Sequence, residues 1–91
     1  MYQLNRTDVY LMTALDEEKA DAPVCGLTIE EIMVYLDSIS TQKSRVTVYR
    51  RLRSLVINGY IAKGVLEHHS DTFYILEKGK KFLRKGNTDE H

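Results

Sequence analysis

Between residues 43 and 54 the chain reads KSRVTVYRRLRS, with cations, hydroxyls and small apolar groups at helical spacing. At about 100° per residue, Lys43, Val46, Thr47, Arg50 and Ser54 fall on one face, with Arg53 beside them. The guanidinium of Arg50 suits the two acceptors on the edge of a guanine, Thr47 suits a phosphate or a thymine methyl, and Val46 suits a thymine methyl. Lys43, Arg45 and Arg53 suit the phosphate backbone, which gives affinity without sequence information. Tyr49 offers a hydroxyl for a phosphate or a ring for packing. The plain alternative is a solvated basic face on an ordinary core helix. For Arg51, on the flank, that alternative is preferred, with pairing to an acid of the preceding helix.

Other chemistry finds little support. Glu67, His68 and His69 could suggest a metal, but adjacent histidines on a strand point to opposite faces. There is no glycine-rich phosphate loop and no nucleophile elbow. His68, His69 and His91 sit on a hairpin tip and a tail. The expectation is no enzyme, no metal and no cofactor.

Charge is unevenly spread. Residues 1–42 hold two cations and eight acids, a balance of −6, while residues 43–85 hold eleven cations and three acids, a balance of +8. With Asp89 and Glu90 the formal net charge is zero. A split of this kind suggests a polyanion-binding half. The length of 91 residues suits one domain with one modest core. No apolar run could span a membrane, MYQLNRTD has no secretory pattern, and the single Cys25 is expected to be a small buried residue. A cytoplasmic setting without membrane contact is expected.

The elements that must position the basic face follow from periodicity and caps. A first helix is expected over Leu4 to Lys19, capped by Thr7, with Val9, Leu11, Met12 and Leu15 inward and Tyr2 and Tyr10 extending that face. Pro23 interrupts, and Val24 to Leu27 suits a very short strand. T-I-E-E at residues 28–31 is a capping box for a second helix, with Ile29, Ile32, Met33 and Leu36 inward. A polar turn follows, with Ile39 expected to plug the core. Ser44 caps the third helix, Val48, Leu52, Leu55 and Val56 form its buried stripe, and Asn58-Gly59 ends it. Tyr60 to His68 and Thr72 to Glu77 read as strands of a hairpin turning at His69 to Asp71. Gly64 marks a bulge or a close approach. Glu77 to Lys85 reads as a short basic helix with Phe82 and Leu83 inward.

This order, with VYRRLRSLVINGYI before the hairpin and FYILEKGKKFL after it, resembles the winged helix-turn-helix domain of the PadR and MarR families of bacterial regulators. There a Tyr and two leucines precede Gly at the end of the recognition helix, and Leu-Thr-Glu-Lys-Gly follows the wing. Here Leu76, Glu77, Lys78 and Gly79 are present and the Thr is missing. The resemblance covers roughly Leu4 to Lys85. It implies DNA binding by the third helix in the major groove, with Ser44, Arg45, Thr47, Arg50 and Tyr49 at the DNA-facing positions and Lys63, His69 and Ser70 in the wing. Full members carry long additional helices that build the dimer, and this chain has almost none.

The expected fold class is α+β: a winged helix-turn-helix with a three-helix core, a two-stranded wing and a short C-terminal helix, over residues 1–85, with a flexible polar tail over 86–91. The expected function is sequence-specific binding of duplex DNA by a transcriptional regulator, with the 44–58 helix in the major groove and the 61–77 hairpin as wing. A homodimer would form through the first helix, Phe82-Leu83 or both. The rivals are a protein-interaction winged helix and an accessory that binds DNA without sequence preference. Free side chains at Lys43, Thr47 and Arg50 would favour DNA; Arg50 and Arg53 tied to Glu30, Glu31 or Asp37 would count against it.

Overall fold

Side-chain caps set the starts of the first three helices in the computed structural model, which describes residues 3–88. Tyr2, the tail acids Asp89 and Glu90, and His91 lie outside the described residues. Helix α1 spans Arg6–Glu17, and its cap is Asn5 rather than Thr7. The Asn5 side chain accepts from the Asp8 amide, and the Asp8 carboxylate accepts from the Asn5 amide, each at 2.9 Å. This reciprocal pair satisfies two amides at once, so the helix begins before Thr7, which is buried inside it. Helix α2 spans Ile29–Ser38. Its expected box is formed: Thr28 Oγ1 accepts from the Glu31 amide at 3.2 Å and Glu31 Oε1 from the Thr28 amide at 2.9 Å. Helix α3 spans Arg45–Ile57, capped by Ser44 Oγ, which accepts from the Thr47 amide at 3.1 Å.

All three helices end the same way. The amides of Ala20, Thr41 and Tyr60 each donate to a carbonyl five residues back, and Lys19, Ser40 and Gly59 before them have φ of 59°, 59° and 80°. These are Schellman endings, which turn the chain sharply off the helix axis.

The sheet has three short strands: β1 (Leu27–Thr28), β2 (Ile61–Lys63) and β3 (Thr72–Ile75), in the order β1-β3-β2, with β3 antiparallel to both neighbours. The hairpin therefore gains a third strand from the segment after Pro23, where Pro23–Cys25 forms a 3-10 turn. Its first strand is much shorter than Tyr60 to His68 suggested, because the chain leaves the sheet at Gly64. A Cβ there would overlap the Pro23 carbonyl oxygen, and the next amide, of Val65, donates to that same oxygen at 3.0 Å. The wing closes in a two-residue turn at His68-His69, not at His69 to Asp71. Glu67 and Ser70 exchange both backbone bonds, and the histidines have φ of 50° and 68°. Positive φ at both central residues matches the right-handed twist of a hairpin.

The core joins Leu11, Met12 and Leu15 of α1, Ile32 and Leu36 of α2, Val48, Leu52 and Leu55 of α3, and Ile61, Phe73 and Ile75 of the sheet. Helix α4 (Glu77–Thr88) runs beyond Lys85 and lays Phe82 and Leu83 against this core. Phe82 meets the Tyr60 ring edge-on at 6.4 Å. Two expectations fail at exposed turns. Ile39 is the cap residue at the end of α2 and is 41% exposed, so it does not plug the core. Cys25 ends the 3-10 turn and is exposed rather than buried. Among the described residues no helix is long and apolar enough to cross a membrane.

Candidate nucleic-acid interface

Helix α3 buries Val48, Leu52 and Leu55, half-buries Val56, and turns its other side outward. Val46, Thr47, Tyr49, Arg50 and Arg53 are exposed on that side, with Val46 at 60% and Tyr49 at 43%; Lys43 and Ser54 are half-buried. Among the described residues, the side chains of Arg50 and Arg53 have no ion pair or hydrogen bond. Neither is tied to Glu30, Glu31 or Asp37.

An open groove of about 950 Å³ runs between this face, the start of α2 and the wing. Val46, Tyr49, Arg50, Arg53, Ser54 and Ile57 line it from α3, and Ser70, Asp71 and Phe73 line it from the wing side. Ile57, 73% exposed, was not among the expected surface residues. It sits just before the C-cap, where a helical pattern alone leaves the facing undecided.

The remaining expected residues divide into engaged and free. Ser44 caps α3, and its hydroxyl also donates to Thr47 Oγ1 at 3.0 Å, so the two hydroxyls hold one another in place. Arg45 is paired with Glu30 of α2, both side chains 58% exposed. That bond, with a backbone bond at Glu30 itself, holds the Glu30 carboxyl below the usual carboxylate range. Lys63 on the wing lies 3.4 Å from Asp71. His69 is exposed on the wing turn, and Ser70 closes that turn and lines the groove.

Arg51 is not the solvated charge expected of it, and the acid it pairs with lies on α1 rather than on the preceding helix. Its Nε and Nη2 donate to the two carboxylate oxygens of Asp8, on α1, at 2.8 and 2.7 Å. Asp8 is fully buried and the Arg51 side chain is 25% exposed. A fork-to-fork pair of this kind fixes orientation as well as distance. It holds α3 against α1, and Arg51 lines the same groove as Arg50 and Arg53 while its charge is taken up by Asp8.

The basic C-terminal helix is largely occupied with structure. Lys78 donates to the Asn58 carbonyl at 2.8 Å and lies 4.4 Å from the Tyr60 ring centre. Lys80 pairs with Asp21 at 3.2 Å and Arg84 with Glu77 at 3.0 Å. Among the described residues no group of three or more His, Cys, Asp or Glu side chains could hold a metal ion.

No protein-family model matches the sequence, and no curated protein does. Solved structures do match, all at low identity. TubR from Bacillus megaterium pBM400 superposes with a TM-score of 0.77 at 19% identity, over 98% of this chain and 90% of that one. The ferric uptake regulator of Vibrio cholerae, whose structure concerns rearrangement of its DNA-binding domains, gives 0.67 at 16% identity, over 80% and 53%. A MarR family protein from Bacillus stearothermophilus gives 0.66 at 20% identity, over 92% and 51%. The chain spans about half the length of the ferric uptake regulators and the MarR family protein it matches. The fold is the winged helix of these regulators, as the sequence resemblance implied.

Proposed function

We propose that the protein is a DNA-binding transcriptional regulator that inserts the helix over residues 44–58 in the major groove, with the hairpin over 61–77 as its wing. The observation that carries this reading is the pair of free, exposed arginines, Arg50 and Arg53, on a helix whose other face is fully packed. An α-helix with its side chains is about 10–12 Å across and the major groove about 12 Å wide. Arg50 reads a guanine edge, and Val46 and Thr47 lie one turn earlier for a thymine methyl or a phosphate. Arg53, Lys43 and Tyr49 meet the backbone. Ser70 and His69 bring the wing to the flank, and Ser44, Arg45, Ser54 and Lys63 border the same surface. A homodimer, through α1 and the α4 surface around Phe82-Leu83, places two such helices on an inverted repeat with half-sites about 34 Å apart. The setting is the cytoplasm, and no catalytic role is assigned.

Fluorescence anisotropy on a labelled random-sequence duplex, titrated at several salt concentrations, tests this. The expected result is affinity that falls steeply with salt and weakens on Arg50→Ala, with the loss reaching about tenfold, near 1–2 kcal/mol, on a duplex then selected for tight binding. Absence of binding at low salt would remove the reading and leave a protein-docking winged helix. Equal binding of all duplexes after sequence selection would leave an accessory without sequence preference.

A further inference from the structure

The surface assigned to DNA is not uniformly basic. Two carboxylates line the same groove as the free arginines: Glu30 from the first turn of α2 and Asp71 from the wing. Each is paired with a cation of the same surface, Glu30 with Arg45 and Asp71 with Lys63. Of the four arginines lining the groove, Arg45 and Arg51 are held by carboxylates, while Arg50 and Arg53 carry no such partner among the described residues. The face is thus graded in charge, with two free cations and, beside them in the groove and on the adjoining wing strand, Arg45 and Lys63 neutralised.

Stability accounts for this arrangement only in small part, through the fit of the Glu30 charge to the first turn of α2. All four paired side chains are between 41% and 58% exposed, and exposed ion pairs add little to folding. The α2 capping box is completed by Glu31, not Glu30. What the two carboxylates do change is the field that a polyanion meets. Binding to any duplex, whatever its sequence, rises with the number of phosphates neutralised by lysine and arginine. A carboxylate that occupies such a cation removes one such contact and adds a repulsive charge. Discrimination between partners improves when a repulsive element weakens the wrong one.

We infer that Glu30 and Asp71 are specificity-determining residues of this surface: they hold Arg45 and Lys63 away from the phosphate backbone, so that tight binding requires the base contacts of the central helix. The inference rests on the DNA-binding reading and extends it to the control of non-specific affinity.

Glu30→Gln and Asp71→Asn keep side-chain size and remove the charge, so each frees one cation with little disturbance of packing. The test is anisotropy on a labelled random-sequence duplex across a salt series, for the wild type, both variants, the double variant and Arg50→Ala. Each carboxylate variant is expected to bind the random duplex at least about threefold more tightly, and its plot of log affinity against log salt to steepen by about 0.9 for the added phosphate contact. The double variant shows both increments. On a duplex selected for tight binding the base contacts already fix the register of the helix and leave Arg45 and Lys63 less freedom to reach phosphates, so the gain is smaller and the ratio of specific to non-specific affinity falls; an equal gain on both duplexes overturns the specificity role. A merely structural role for Glu30 or Asp71 would alter melting without steepening the salt slope. If the wild type binds and Arg50→Ala weakens it, but neither carboxylate variant tightens random-duplex binding, the inference is overturned and the DNA reading stands. If the wild type and every variant fail to bind at the lowest salt, both are overturned together.

Discussion

Two arginines adjacent in sequence have opposite fates, and the difference lies in one buried carboxylate. Arg50 is exposed and free, whereas Arg51 is locked to Asp8, which is 0% exposed. Asp8 serves two purposes: it closes the α1 cap and receives the Arg51 fork. Removing one member of such a pair strands the other charge away from water. Asp8→Ala and Arg51→Ala are each expected to cost about 3 kcal/mol of folding stability, read from urea denaturation midpoints at unchanged slope. In the double-mutant cycle the two losses should fall well short of additive. Additive losses would mean that the pair contributes nothing as a pair. The sequence could place Arg51 on the flank of the exposed face, since helical spacing decides that, although its side chain still lines the groove. It could not supply the partner, because Asp8 lies 43 residues away and had the simpler explanation of a charge at a helix start.

At the scale of elements, caps were the most legible feature. Thr28 with Glu31, and Ser44, were readable because a hydroxyl before an apolar periodic run has a local geometric consequence. The α1 start is ambiguous in the sequence because Asn5, Thr7 and Asp8 all qualify as caps, and only the reciprocal bond between Asn5 and Asp8 selects among them. Helix ends were visible only at Gly59. Lys19 and Ser40 adopt the same left-handed conformation without glycine, so their sequence carries no mark of it. The graded charge of the groove was equally hidden, because the Glu30 to Arg45 pair crosses the turn between α2 and α3.

One tie between elements has a pH signature. Tyr35 of α2 donates to Glu17 Oε1 of α1 at 2.7 Å. Partial burial, then this bond to a carboxylate, pushes the Tyr35 phenol up to about 12. Because the fold favours the neutral phenol, its contribution is fully present below the ordinary value of about 10 and is lost as pH rises toward the folded value. Tyr35→Phe should cost about 0.5 kcal/mol at neutral pH, a low value because the bond is exposed. The gap between wild type and variant, followed by denaturant midpoints, should be flat up to about pH 10 and close above it. A gap that persists unchanged into alkali would show that the phenol proton is not what ties α1 to α2.

Across the whole molecule the charge split becomes a force between copies. Residues 1–42 carry −6 and residues 43–85 carry +8 in a chain of zero formal net charge, with principal extents of 44, 26 and 25 Å. With no net charge there is no overall repulsion to keep copies apart, and oppositely charged regions can face one another. The range of that attraction is set by salt: about 30 Å at 0.01 M, comparable to the molecule's width, but about 10 Å at 0.1 M. Static light scattering near pH 7 should therefore give a negative second virial coefficient at low salt that rises toward zero or above by roughly 0.15 M, where the screening length is about 8 Å. Glu30→Gln with Asp71→Asn raises the formal charge by two and should weaken the attraction at low salt, while the same changes tighten binding to a random duplex. Those opposite responses separate a polyanion surface from a face built to dock its own acidic half. If the double variant instead associates more strongly with itself and no more tightly with DNA, the basic half is a self-docking surface. A coefficient independent of salt would show that the −6 and +8 are too intermixed in space to act as two regions.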